Sequence, residues 1–152
     1  MEIERKYLTK SIPFDIEKFP KKHISQCYIS TSPTIRIRKS NENYFLTIKG
    51  KGAISKEEYE ISITKEDYEK LLLKAETPEV IKTRYIVPVC DGLNAEIDVY
   101  DGKLKGLITT EVEFETMEEM ESFIPPTWFG KDVSEDMRYK NTSLSVYGIP
   151  KE

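Results

Sequence analysis

Glu2-Ile3-Glu4-Arg5-Lys6 opens the chain with two carboxylates spaced by one residue and a lysine two positions further on. On a β-strand side chains alternate, so Glu2, Glu4 and Lys6 share one face while Ile3 and Arg5 take the other. Like charges on one face repel unless a cation or solvent lies between them. The same sorting by sign recurs down the chain. Basic residues pair at i and i+2 as Arg36 with Arg38, as Lys49 with Lys51 beside Thr47, and as Lys82 with Arg84. Acidic residues pair as Glu58 with Glu60, as Glu96 with Asp98, and as Glu111 with Glu113 and Glu115. Sets of guanidinium and ammonium groups clamp a polyanion, and Arg suits phosphate oxygens especially well. Carboxylates cannot bind phosphate themselves. Their natural companion is a hard divalent cation, Mg²⁺ or Mn²⁺, which takes oxygen ligands and bridges to phosphates.

These residues must be held by strands. Alternating segments run over 34–39, 43–51, 57–63, 80–89, 93–101 and 107–115. Turn signals separate them at Asn41-Glu42-Asn43, Gly50-Lys51-Gly52, Asp91-Gly92 and Asp101-Gly102. Thr64 with Asp67 predicts the start of a helix over 65–75, and Thr116 with Glu119 the start of one over 117–124. Shorter helices are expected around 14–19 and 134–140. The pattern describes a mainly antiparallel β domain (α+β) with a few covering helices.

An antiparallel sheet with one solvated face gives the same apolar-in, polar-out alternation. Clustered like charges are harder to place there, because cross-strand pairs favour opposite signs. The alternative is a closed or nearly closed β-barrel with a charged interior and an apolar outside partly covered by helices. Buried charges are costly unless paired, hydrated or bound to a ligand. Facing acidic and basic strands meet that condition.

Composition narrows the class. A chain of 152 residues is expected to form one domain over 1–152, and 38% hydrophobic with 33% charged residues is globular rather than disordered. No apolar run approaches a bilayer span, so no membrane partner is expected. The charged start predicts no secretory leader. Cys27 and Cys90 do not suggest a disulfide framework or a zinc site, which points to a cytoplasmic setting. A net charge of −4 argues against a nucleic-acid partner. His23 reads as a surface residue and Trp128 as a packing anchor. The Gly-Lys-Gly of residues 50–52 lacks phosphate-loop spacing and reads as a hairpin.

The segments "TIRIRK", "FLTIKGKG", "EYEISI", "IKTRY", "EIDVYDG" and "TTEVEFE" follow the opening Glu-x-Glu-x-Lys strand in order, and "WFGKDVSEDMRYKNTSLS" closes the chain. Over residues 2–146 this arrangement resembles the CYTH family, the triphosphate tunnel metalloenzymes. The resemblance implies a closed, eight-stranded antiparallel barrel. It implies that Glu2 and Glu4 are metal ligands, completed by Glu111 and Glu113, with Lys6 on the phosphates. Glu2, Glu4, Lys6 and Glu113 would then form the catalytic set. Arg36, Arg38, Lys49, Lys82 and Arg84 would bind a triphosphate. Glu60 and Asp98 would orient the basic residues, Asp98 also reaching a metal through water. Arg138 and Lys140 would add substrate contacts from a C-terminal helix plugging one tunnel mouth.

Short bacterial members of the family resemble tripolyphosphatases that use Mg²⁺ or Mn²⁺. The expected substrate is therefore inorganic triphosphate, with ATP or GTP second, and a homodimer through the apolar outer face is a further expectation. Class IV-type adenylyl cyclase, thiamine triphosphatase and a non-catalytic polyphosphate- or nucleotide-binding module are the alternatives. A pure sensor gains nothing from Glu2, Glu4, Glu111 and Glu113 without metal chemistry.

Overall fold

A computed structural model describes residues 2–51 and 55–151. Gly52 of the expected Gly-Lys-Gly turn lies outside the described residues. The strands are β1 (Glu2–Leu8), β2 (Lys21–Thr31), β3 (Thr34–Ser40), β4 (Asn43–Lys49), β5 (Ser55–Lys56), β6 (Glu58–Ile63), β7 (Val80–Pro88), β8 (Asn94–Tyr100) and β9 (Ile108–Phe114). The helices are α1 (Lys65–Leu72), α2 (Met117–Ser122) and α3 (Asn141–Tyr147). All strands join one sheet in the order β5-β1-β9-β8-β7-β2-β3-β4-β6, and every pairing is antiparallel.

The sheet curls into a half-barrel, and "closed" overstates it. Its two edges, β5 and β6, are consecutive in sequence, yet β5 pairs with β1 only at Glu2 and Ile3. Further along, the same edge of β1 is taken by the C-terminal segment. Leu8 N–H donates to the Lys131 carbonyl, Val133 N–H to the Lys6 carbonyl, and Lys6 N–H to Ser134 Oγ. Gly130 lets this segment approach, since a Cβ there would run into the Leu8 carbonyl. Arg5 and Asp132 clamp the crossing from outside at 2.5 Å.

The outward faces are largely apolar and partly covered, because each strand turns one side out. Thr64 caps α1 through Asp67 N–H, and α1 lays Tyr68 against Cys27 and Ile37. Thr116 caps α2 through Glu119 N–H, and α2 sets Met120 among Ile3, Val112 and Phe114. Trp128 packs edge-on to Phe14 and Phe129, which makes it a packing anchor. Asp91 and Gly92 both hold positive φ in the β7–β8 turn, the conformation an Asp-Gly hairpin favours.

Three local expectations need correction. β2 was not expected as a strand, because "KKHISQCYIST" starts with exposed polar residues that hide the alternation behind them. The helix expected at 14–19 is one 3-10 turn at Ile16–Lys18. The one expected near 134–140 is another, at Met137–Tyr139. Arg138 therefore sits in a 3-10 turn and Lys140 just ahead of α3, rather than both in a C-terminal helix.

Candidate active site

The inward faces of the curled sheet enclose a cavity of about 900 Å³. Its wall carries charges of both signs. β1 and β9 pair so that Glu4 is opposite Glu113 and Lys6 opposite Glu111. Glu2, Glu4, Glu111 and Glu113 all line the cavity, joined by Glu96 from β8. Arg36 and Arg38 from β3, Lys49 from β4 and Arg84 from β7 line it as well, beside Glu58 and Glu60 from β6.

The cations are held by specific contacts. Lys49 Nζ lies 3.3 Å from Glu2 and 3.2 Å from Glu58. Arg36 donates to Thr47 Oγ1 at 3.2 Å and approaches Glu60 at 3.6 Å, while the Thr47 hydroxyl donates to Glu60 at 3.0 Å. These residues face one another across β3, β4 and β6, since Arg36 is opposite Thr47 and Thr47 opposite Glu60. Arg38 Nε donates to Gln26 Oε1 at 2.7 Å. Lys6 Nζ donates to the Tyr139 carbonyl at 2.6 Å and stands 3.8 Å from Glu111.

Beneath the wall lies a buried charge cluster. Arg84 grips Asp98 with two hydrogen bonds of 2.8 and 3.0 Å, and Lys82 Nζ stands 2.8 Å from the same carboxylate. Asp98 is 0% and Lys82 1% exposed. Burial favours the protonated acid, but Arg84 and Lys82 outweigh it and hold the Asp98 carboxyl at about 2. Burial pulls the Lys82 ammonium down to about 7 against the opposing pull of Asp98. Neither residue is among those lining the cavity. Lys82 and Asp98, expected at the phosphate and the metal, thus sit in an internal ion cluster, where Asp98 is placed to orient Arg84.

The field inside the cavity is uneven. Burial, and then Glu2, Glu96, Glu58 and Glu111, push the Glu113 carboxyl upward. Glu111 goes the other way, because Lys6 and Arg84 outweigh its burial. Burial, with Arg36 and Arg84, draws Arg38 down to about 9, still cationic at neutral pH. Carboxylates and cations therefore crowd together in one cavity.

These carboxylates suit a hard cation in donor type. Among the described residues no three stand close enough to cage an ion by themselves. Mg²⁺ does not require such a cage. It keeps several waters and takes one or two carboxylates plus substrate phosphates. The mutual repulsion that raises Glu113 is what a divalent cation would relieve. The donor set fits.

The remaining expected residues are more peripheral. Lys140 lines the cavity mouth with Asn141 and Ser134. Arg138 is half exposed, forks onto Asp136 at 2.7 and 3.0 Å, and does not line the cavity. Sequence reasoning missed Gln26 and Tyr28, both buried on the inward face of β2. The signal was the alternation Ile24, Gln26, Tyr28 against Ser25, Cys27, Ile29.

The profile of the CYTH domain matches residues 1–144. An inorganic triphosphatase of Nitrosomonas europaea is 40% identical over 149 residues, covering 95% of this chain and 97% of that protein. Another, from Acetivibrio thermocellus, is 30% identical over 146 residues, covering 94% and 92%. A solved crystal structure described as an inorganic triphosphatase superposes with a TM-score of 0.72 at 37% identity, covering 99% of this chain and 97% of the other.

Proposed function

The chain belongs to the CYTH domain family, and on that premise we propose that it is a hydrolase that cleaves the terminal phosphoanhydride of inorganic triphosphate. The observation that carries this reading is the convergence of Arg36, Arg38, Lys49 and Arg84 with Glu2, Glu4, Glu111 and Glu113 on one cavity. A linear polyanion needs the first set. The second serves only if a cation comes with the substrate.

Family membership implies a divalent metal, and the oxygen-only donor set favours Mg²⁺ or Mn²⁺. Held by Glu2, Glu4, Glu111 and Glu113, it would neutralise phosphoryl charge and polarise the scissile group. The chain's own residues do the rest. Arg36, Arg38, Lys49 and Arg84 hold the three phosphoryl groups extended, and Lys6 balances the anion at the β1 side. Glu113, its carboxyl raised by its neighbours, orients the attacking water in line with the leaving pyrophosphate. Phosphoryl transfer depends on positioning and charge neutralisation, so no nucleophilic side chain is needed. Asp98 and Glu60 hold Arg84 and Arg36 in place from behind.

The reading extends to one catalytic domain over 1–152, a cytoplasmic setting and slower turnover of ATP or GTP. No helix among the described residues is long and apolar enough to cross a membrane. Association of two copies would use Ile48, Tyr59 and Ile61, exposed together on β4 and β6; a monomeric mass in solution contradicts that part.

Initial rates of phosphate release from tripolyphosphate, ATP and thiamine triphosphate, with Mg²⁺, Mn²⁺ or EDTA, test the proposal. Tripolyphosphate is expected to be fastest and EDTA to abolish release. Equal rates on all three, or release in EDTA, would contradict it. Arg38→Lys is expected to raise KM for tripolyphosphate roughly tenfold with a smaller change in kcat, because an ammonium cannot make the paired contact. An unchanged KM would remove Arg38 from the substrate site.

A further inference from the structure

Resting on the triphosphatase reading, we propose that Gln26 is a positioning residue whose neutral amide keeps the Arg38 guanidinium uncommitted, making Arg38 the anchoring cation for the triphosphate chain. The other cavity cations are already partly neutralised. Arg84 is paired with Asp98 and approaches Glu96 at 3.5 Å. Lys49 stands between Glu2 and Glu58, Arg36 near Glu60, and Lys6 near Glu111. Arg38 forms no ion pair with any described residue, and its side-chain hydrogen bond goes to Gln26.

The geometry of that bond matters. Arg38 Nε can only donate, so the Gln26 amide must turn its oxygen toward it. Gln26 Nε2 then points away, fully buried and without a hydrogen-bond partner among the described residues. An apolar side chain would fill the place without stranding a donor. The amide is therefore explained by what its oxygen does. Fixing Nε sets the guanidinium plane and leaves both terminal nitrogens free to fork onto phosphoryl oxygens. A carboxylate in the same place would fix the plane equally well but would neutralise the charge, as Asp98 does for Arg84.

Gln26→Glu makes that change with almost no change of shape. The expected result is a KM for tripolyphosphate raised roughly tenfold or more, with kcat altered far less and a thermal midpoint equal to or above that of the unaltered protein. A purely structural glutamine would instead lower the midpoint and leave KM alone. Wild-type KM in a folded Gln26→Glu protein overturns the proposal. If that variant fails to fold, Gln26→Met decides: it fills the volume without holding Nε, so a raised KM in a folded protein supports the proposal and an unchanged KM overturns it. Absence of tripolyphosphate turnover in the unaltered protein would instead remove the triphosphatase reading, and this inference with it.

Discussion

Glu4→Ala and Glu113→Ala are each expected to lower metal-dependent phosphate release more than about a hundredfold while the protein stays folded. The two residues face each other across the β1–β9 pair and line the cavity together. Glu113 is exposed and Glu4 half-buried, so truncating either leaves no core cavity. The Glu113 carboxyl is also pushed upward by burial and then by Glu2, Glu96, Glu58 and Glu111. Deleting Glu113 relieves repulsion, so without metal the thermal midpoint of that variant should stay level or rise. In that variant activity falls without a loss of stability, which no general folding defect can imitate. Phosphate release with Mn²⁺, together with thermal unfolding in EDTA, reads both. Full activity in both variants would remove the metal-binding role.

Asp98→Ala is expected to destabilise the protein by about 3–5 kcal/mol, the cost of stranding a buried charge. For a domain of this size that corresponds to a fall in thermal midpoint of roughly 10 °C. Lys82 and Arg84 both depend on this carboxylate, and Lys82 is almost wholly buried. The pH dependence follows from the same cluster. Arg84 and Lys82 outweigh burial and hold the Asp98 carboxyl at about 2 in the folded protein, whereas an unfolded chain returns it to about 3.9. The unfolded state therefore binds the proton first as pH falls. The stability from Asp98 is fully present above about pH 4 and is lost progressively as pH drops through about 2. Denaturant titrations from pH 6 to pH 2 should show that acid-labile portion in the unaltered protein and its loss in Asp98→Asn. Superimposable acid limbs would contradict the assignment.

Much of this arrangement can be read from residue spacing, because a β-strand converts i and i+2 directly into one face. Arg36 with Arg38, Glu111 with Glu113 and Glu2 with Glu4 all reach the cavity for that reason. Caps at Thr64 and Thr116 are local hydrogen bonds and were equally legible. Spacing says nothing about depth, however. Lys82 shares its face with Arg84, yet it sits beneath the cavity wall because Asp98 draws it inward. Tertiary completion of an edge is also invisible in sequence. The half-barrel, in place of a closed one, follows from residues 131–134 occupying the edge of β1 beyond its short pairing with β5. Gln26 is hard to read from the sequence because β2 begins with exposed Lys21, Lys22 and His23, which mask the alternation behind them.

As proposed, this cavity splits inorganic triphosphate with a divalent cation. Phosphorus-31 NMR of tripolyphosphate incubated with the protein and Mg²⁺ or Mn²⁺ tests it most directly. Orthophosphate and pyrophosphate appearing in equal amounts, and only when metal is present, is the result expected. Intact triphosphate with either metal, or the same products in EDTA, would contradict the account.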